Sequence, residues 1–305
     1  MSTFSATDVA LEGFRVTREN PRATLIWAAV SLAVSVVSGL VAISLGQEAR
    51  MAFDVISGQE PPSGPALLAA LKTLTPLLIM GFAVQCVMVT AVYRIVLRHA
   101  DHGFGYLKLG ADEVRLGLLT LIYFCIAVAL LMGVSIVAGV VVLLASKLGP
   151  VVADLVGLGV FVFALGLLVY VAVRLSLAPA ITFDLKRLAV FESWAITRGS
   201  FWRLLGAYLL AVACMFVVTI LALSLFFALV LIVNGGDAVA AARMAKPDET
   251  SIGAYFTPVS VPYLVLAAAL TAIYYPVVAA PAAVAYRALT GRAAAPGEPL
   301  VDIVV

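Results

Sequence analysis

The sequence predicts an all-α polytopic membrane protein with six transmembrane helices. Of its 305 residues, 64% are apolar and only 12% are charged, whereas soluble domains are about half apolar and a quarter charged. Six uncharged stretches are each long enough to cross about 30 Å of hydrocarbon as a helix. Membrane-spanning segments must be helices or barrel strands, and runs this long lack the alternating pattern of barrel strands.

The uncharged stretches locate the transmembrane helices. We predict spans over residues 24–45, 74–96, 116–145, 155–177, 204–233 and 261–288. Residues 1–305 are expected to form a single integral membrane domain that ends in a cytoplasmic tail, 290–305. No charged residue lies near the centre of a span. This weighs against ion-coupled transport, because proton and cation relays place ionisable groups at bilayer depth.

The 19 Lys and Arg residues predict the orientation of the chain. Cytoplasmic loops of membrane proteins carry an excess of positive charge. One side of the predicted spans holds only Arg50, Lys72, Lys147, Arg243 and Lys246. The other side holds Arg15, Arg18, Arg22, Arg94, Arg98, Lys108, Arg115, Arg174, Lys186, Arg187, Arg198, Arg203, Arg287 and Arg292. We therefore expect a multi-pass protein of the cell inner (plasma) membrane, with both termini cytoplasmic and with outer loops at 47–65 and 234–256.

An internal repeat relates residues 11–21 to residues 191–201. The identical pairs are Glu12 with Glu192, Thr17 with Thr197, and Arg18 with Arg198. Both copies precede a predicted span, and their aromatic and basic residues suit a helix at the headgroup level. We predict two short cytoplasmic interfacial amphipathic helices, at 7–20 and 188–200. Arg94, Arg174 and Arg287 end three of the spans in similar sequences, so the repeat is compatible with two or with three hairpin units.

Basic and aromatic residues around the end of the fourth span form the candidate site. Pro179 ends that helix near the membrane surface, where exposed peptide groups beside cations can hold a lipid phosphate. The residues predicted to bind lipid headgroups are Arg18, Arg174, Lys186, Arg187, Arg198, Trp202 and Arg203. The alternative is that these residues only anchor the helices, because basic and aromatic residues collect at membrane interfaces whatever the function.

Motifs for catalysis or metal binding are not recognisable in the sequence. His99 and His102 flank Asp101, but no further Cys or His lies nearby to complete a zinc site. There is no phosphate-binding glycine loop, no nucleophile elbow and no HExxH pair. We expect no enzyme activity, no cofactor, no metal and no nucleic-acid partner.

Two other functions fit the same pattern. The first is a scaffold or accessory subunit of a membrane protein complex, because small residues let helices pack closely. These small residues are Gly133, Gly139, Gly157, Gly159, Gly166 and Gly206. The second is a permease for a small solute, because Pro262, Pro276 and Pro281 interrupt the sixth span, as helices do at transporter binding sites. The oligomeric state stays open.

The segment that contains Arg174 and Pro179, then Glu192 and Trp194, and then the run 197–206 carries a family resemblance. It resembles the membrane domain of glycerophosphoryl diester phosphodiesterases and of related uncharacterised bacterial membrane proteins. Those enzymes hydrolyse their substrates on a separate cytosolic barrel, and we expect this chain to lack that barrel and its activity. The resemblance implies a bacterial inner-membrane protein that binds or handles phospholipid or lipid precursors at the cytoplasmic leaflet, with membrane lipids as partners.

Overall fold

The structure, a computed structural model, describes residues 5–58, 63–98, 103–244 and 247–291, with the side chain of residue 243 excepted. It is 85% helical, and the described residues form no strand. Six helices are long and apolar enough to cross a membrane. The chain is therefore an all-α polytopic membrane protein, as predicted.

The described residues form twelve α-helices, and those that span the membrane are the second, fourth, fifth, sixth, ninth and twelfth. Their bounds are α1 Ala6–Glu19, α2 Pro21–Leu45, α3 Gln47–Ile56, α4 Gly64–Leu97, α5 Ala111–Ser146, α6 Pro150–Leu175, α7 Ala178–Leu185, α8 Glu192–Ile196, α9 Phe201–Val233, α10 Ala238–Met244, α11 Ile252–Tyr255 and α12 Ser260–Thr290. A short 3-10 helix, Phe104–Tyr106, precedes α5.

The second spanning helix begins ten residues earlier than the predicted span. The hydroxyl of Ser63 accepts a hydrogen bond from the backbone N–H of Ala66, at 3.4 Å, and so caps the start of α4. Lys72, which limited the prediction, lies exposed inside this helix. The prediction began the span after the charged residue Lys72, whereas the helix begins after the capping residue Ser63.

The predicted outer loops contain helices that the sequence analysis did not identify. In the first loop, α3 buries Ala49 and Ala52 against Ala70 and Leu74 of α4. In the second loop lie the short helices α10 and α11. Ala49 and Ala52 lie three residues apart and Ala70 and Leu74 four apart, which is the spacing of one helix face, but this signal is short and lies mostly outside the uncharged runs.

The two predicted interfacial segments differ in structure. The first, 7–20, coincides within a residue with α1. The second, 188–200, contains only the five-residue helix α8, so the predicted helix was too long. The segment between α7 and α8 is not helical. Lys186 adopts a left-handed φ of 54° there, and the N–H of Ala189 binds the Thr182 hydroxyl at 3.1 Å. Gly199, with φ 89°, separates α8 from α9.

The repeated segments nevertheless share a hydrogen bond. Thr17 donates its hydroxyl hydrogen to the carbonyl oxygen of Gly13 at 2.9 Å, and Thr197 donates to the carbonyl oxygen of Ser193 at 2.9 Å. The acceptors, like the donors, are related by the offset of the repeat. The similarity of the two segments therefore extends from sequence to local backbone structure.

The chain divides into two compact units. Unit 1 comprises Met1–Ala6, Leu109–Ala207 and Ala282–Val305, and unit 2 comprises Thr7–Lys108 and Tyr208–Pro281. The prediction of a single integral domain stays a prediction. The tail predicted at 290–305 lies outside the described residues from residue 292 onward.

The core of unit 2 lies around the last turns of α4, where residues 91–96 are all buried. The short 3-10 helix docks on this core through two backbone carbonyls. The Trp27 indole N–H donates to the carbonyl of Gly105 at 2.7 Å, and the Arg94 guanidinium donates to the carbonyl of Tyr106 at 2.9 Å. Gly105 permits the close approach, because a Cβ there would lie 2.9 Å from the side chain of Ile26. The buried arginine thus has a structural partner.

A close contact between α1 and α12, also in unit 2, explains one of the prolines of the sixth span. A Cβ on Gly13 would overlap the backbone of Val277 and would lie 2.6 Å from the carbonyl oxygen of Pro276. Pro276 and Pro281 lie inside α12, which continues through both. Pro276 therefore lies at a packing contact, and the permease alternative stays a prediction.

In unit 1, α5 and α6 form a hairpin whose faces are largely exposed. Almost no residue in the most apolar stretch of either span is buried among the described residues. Cβ atoms at Gly133, Gly139, Gly159 and Gly166 would meet no atom of the described chain within 4 Å. These glycines therefore do not mediate packing within the described chain.

We predict that Gly13→Ala destabilises the protein. The added methyl group must displace the backbone of α12, and overpacking of this kind costs about 1–3 kcal/mol. Thermal unfolding in detergent should show a lower transition temperature. Gly133→Ala is the matched control, because its methyl group meets open space and alanine favours a helix. Equal transition temperatures for the Gly13→Ala variant and the wild type would contradict the contact.

Candidate functional site

The candidate site is built on the break between α6 and α7. Pro179 is the second residue of α7, a position at which proline is tolerated, and the break leaves backbone groups at the end of α6 without helical partners. Ser193 is the partner of two of these backbone groups. Its hydroxyl donates to the carbonyl of Arg174 at 2.7 Å and accepts from the N–H of Leu177 at 3.2 Å. Thr197 adds a longer hydrogen bond to the same carbonyl, at 3.4 Å. The segment around α8 is thereby fixed to the end of α6.

The side chain of Arg174 lies between two aromatic rings. Its guanidinium carbon is 5.3 Å from the ring centroid of Tyr170 and 5.3 Å from that of Trp194, which is cation–π distance. Its N–H groups reach the Tyr170 hydroxyl at 3.2 Å, the Trp194 carbonyl at 3.4 Å and the Thr197 hydroxyl at 3.5 Å. All these partners are neutral, and within the described part of the chain no carboxylate pairs with this guanidinium. Its positive charge is oriented but not neutralised.

Aromatic side chains extend the site along the surface. The Tyr170 ring packs edge-on against Trp194, at 5.7 Å between centroids, and tilted against Phe201, at 5.3 Å. Phe201 in turn contacts Trp202, whose side chain is 78% exposed. A cluster of Tyr and Trp near helix ends is typical of the membrane interface, where an apolar ring and a polar edge are both accommodated.

A surface pocket of about 560 Å³ lies at this cluster, within the size range of small-molecule sites. Its lining combines two guanidinium groups with aromatic and small apolar side chains: Arg174, Phe191, Trp194, Ala195 and Arg198. The Arg198 side chain is exposed, and its guanidinium makes no hydrogen bond or ion pair with the residues that the structure describes. Two cations that lack anionic partners and face one pocket can bind a phosphate or another anion, and the aromatic wall can contact an apolar chain.

Of the seven predicted headgroup-binding residues, the structure brings Arg174 and Arg198 together in this pocket. Arg187 forms an ion pair with Glu192 at 2.8 Å, so its charge is already balanced. Lys186, Trp202 and Arg203 are exposed in the same unit but do not line the pocket. Their role as headgroup contacts stays a prediction.

The remaining predicted residue, Arg18, lies exposed in the last turn of α1. It belongs to unit 2, and the Arg174–Arg198 pocket belongs to unit 1. Sequence reasoning missed Tyr170. The available signal was its position one helical turn before Arg174, which places both side chains on one face of α6.

The histidines considered as zinc ligands, His99 and His102, lie outside the described residues, as does Asp101. Elsewhere in the described chain, no three His, Cys, Asp or Glu side chains come together as a metal site would require.

Comparisons with known proteins give no relative. No protein-family model matches the chain, and no curated protein or solved structure matches it. The resemblance to the membrane domain of glycerophosphoryl diester phosphodiesterases therefore stays a prediction.

We predict that Ser193→Ala destabilises unit 1. The substitution leaves the buried N–H of Leu177 without its acceptor and the part-buried carbonyl of Arg174 with only the longer Thr197 hydrogen bond, which costs about 1–3 kcal/mol. Thermal unfolding in detergent measures the loss. Ser57→Ala is a suitable control, because that hydroxyl is exposed and binds only a carbonyl one turn earlier in its own helix. A Ser193→Ala variant as stable as this control would show that the α6 end does not depend on the serine.

Proposed function

We propose that this chain is a non-enzymatic integral membrane protein that binds phospholipid headgroups, or the anionic headgroups of lipid precursors, at the cytoplasmic leaflet of the inner membrane. The observation that carries the proposal is the pocket in which Arg174 and Arg198 lie beside Phe191 and Trp194. The phosphate binds the two guanidinium groups, and an acyl chain follows the aromatic wall.

The electrostatics of the pocket favour an anion. Arg174 is held in place by neutral oxygens and aromatic rings, so its orientation is fixed without loss of its charge. A guanidinium presents a planar set of N–H donors that matches two phosphate oxygens at once. Because the arginine is already ordered, little side-chain entropy is lost on binding.

The depth of the site also fits a lipid. Arg174 lies in the last turn of a spanning helix, and Arg198 follows α8, just before the next spanning helix begins. Headgroup phosphates lie at this level of a bilayer, and the leaflet that faces the cytoplasm is the more anionic one. Both arginines belong to the side that carries fourteen of the 19 Lys and Arg residues, which is the side that cytoplasmic loops occupy.

We predict that Arg198→Gln weakens lipid retention by about tenfold, because loss of one charged hydrogen bond corresponds to about 1.5 kcal/mol or more. The measurement is native mass spectrometry of the full chain released gently from the membrane and titrated with an anionic phospholipid. The Arg198 side chain is exposed and its guanidinium has no partner among the described residues, so the folded structure should persist.

Arg22→Gln is the matched control for this experiment. Arg22 is exposed at the second residue of α2, on the same predicted side of the membrane, and does not line the pocket. If both variants lose lipid equally, the attraction is a general property of surface charge and the pocket is not the site. The absence of retained lipid in the wild type would also contradict the proposal.

A scaffold or accessory role is the second candidate. It is favoured by the glycines of α5 and α6, such as Gly139 and Gly166, whose Cβ positions meet no other described part of the chain. In lipid, small residues of this kind permit close helix contact with a partner. The same mass spectra distinguish the two functions, since a stoichiometric bound protein favours the scaffold and a bound phospholipid favours the pocket.

The proposed orientation gives a separate prediction. Tags at either terminus should resist protease added to intact cells and become accessible after the membrane is permeabilised, because positively charged flanks are retained in the cytoplasm. A tag inserted in the predicted outer loop after residue 58 is the control and should be cleaved in intact cells. Cleavage of a terminal tag from outside would reverse the assignment of the leaflet.

A further inference from the structure

A second cavity, of about 320 Å³, lies in unit 2 where α2 ends. Its lining includes four polar side chains, Ser35, Ser38, Glu249 and Tyr255, together with the aromatic ring of Phe53. None of these residues lines the Arg174–Arg198 pocket, and neither the lipid proposal nor the predicted site includes them. The cavity brings together side chains from α2, α3, α11 and the loop before α11.

The walls of this cavity are held in place by contacts among the lining residues and with neighbouring residues. The Tyr255 ring crosses α2 at Gly39, where any Cβ would overlap the ring, and the Tyr255 hydroxyl donates to the carbonyl of Ser35 at 3.0 Å. The Ser260 hydroxyl binds the main-chain oxygen of Tyr255. Arg50 donates to the main-chain oxygen of Glu249 at 3.2 Å and so fixes the loop to α3. The site is therefore formed before any ligand binds.

Three polar side chains of the cavity, those of Glu249, Ser35 and Ser38, lack partners among the described residues. No cationic group of the described chain lies within 4.0 Å of the Glu249 carboxylate, so this carboxylate forms no ion pair there. The nearby Arg50 binds the backbone oxygen of Glu249 instead. Partial burial raises the pKa of this carboxyl group; the positive charge of Arg50 opposes the rise, and the negative charge of Asp248 adds to it. A cation entering the cavity would restore the stabilisation that the carboxylate has lost with its water.

The serines of α2 add further hydrogen-bonding capacity. The hydroxyls of Ser35 and Ser38 form no hydrogen bond with any residue of the described ranges. Ser31 lies one turn before Ser35 on the same helix face, is only 5% exposed, and has a hydroxyl without a partner among those residues. Buried hydroxyls are normally satisfied, so this face of α2 carries unused polar capacity beside the cavity.

We propose that this cavity binds an ammonium group. The Glu249 carboxylate supplies the opposite charge, and the serine and tyrosine oxygens are acceptors for N–H donors. The Phe53 side chain, which is 42% exposed, adds an aromatic ring that can attract a cation. Among the described residues that line the cavity, a guest with negative charge would meet a carboxylate and no cation, so this lining favours cations over anions.

An ammonium group can belong to a zwitterionic lipid headgroup or to a soluble amine, and the test has an arm for each. The full-length protein is placed in nanodiscs made only from a glycerol-headgroup lipid, which exposes both faces. Calorimetric titration then uses choline, ethanolamine, and a short-chain lipid with an ethanolamine headgroup. The neutral probes are 3,3-dimethylbutanol, an uncharged analogue of choline, and the short-chain lipid with a glycerol headgroup.

At least one ammonium probe should bind saturably, and its neutral analogue should not. Glu249→Gln should weaken that binding by at least about tenfold, because it replaces a charged acceptor by a neutral one. Glu48→Gln is the matched control: Glu48 is exposed in the first turn of α3 and does not line the cavity, so its variant should bind like wild type.

Ser38→Ala gives a second measurement if the Glu249→Gln variant folds poorly, because alanine favours the helical conformation of α2. This substitution should weaken binding by about threefold or more. Saturation by the lipid alone assigns the site to a headgroup, and saturation by choline or ethanolamine assigns it to a soluble amine. The proposal is overturned if no ammonium probe saturates, if the neutral analogues bind as tightly, or if the folded variants bind like wild type. The lipid pocket formed by Arg174 and Arg198 is unaffected by each of these outcomes.

Discussion

The hydrogen bonds at the end of α6 are the contact on which the candidate site depends. A helix in hydrocarbon satisfies its own peptide groups, but a helix that stops must find other partners for them. Ser193 binds both the Arg174 carbonyl and the Leu177 N–H. This contact fixes the end of the helix and also places Trp194, the neighbouring residue, against the Arg174 side chain. One structural requirement of the helix thus positions an arginine, an aromatic wall and the pocket beside them.

Close backbone approach contributes to the organisation of unit 2, alongside the buried core around α4. Gly13 lets α1 approach α12 at Pro276, and Gly39 lets Tyr255 cross α2. In lipid, apolar surface gains little by leaving its surroundings, so helix contacts depend on packing and on hydrogen bonds. The Trp27 contact with the Gly105 carbonyl follows the same rule, since it satisfies a buried donor and a backbone acceptor together.

Residue type and position in the sequence identified part of the candidate site. Arg174 and Arg198 were identified as headgroup contacts because basic residues at a helix end suit a phosphate, and they line one pocket. Arg187 has the same charge and a neighbouring position, yet it pairs with Glu192. Tyr170 was missed because a tyrosine within a span has an ordinary structural explanation. Which cations keep an unpaired charge depends on the contacts of each side chain, and these are not encoded in composition.

The sequence alone determined the fold class and the number of spanning helices, because hydrocarbon excludes charge and so imposes long uncharged runs. It did not determine where α4 begins, since the Ser63 cap lies beyond a charged residue that the helix tolerates on its exposed face. Nor did it determine that residues 188–200 form only a short helix, because side-chain hydrogen bonds to distant backbone groups replace helical ones there. Only the tertiary structure brought Glu249 and Tyr255 together with the serines of α2, because a contact between residues about 200 positions apart leaves no periodic signal in the chain.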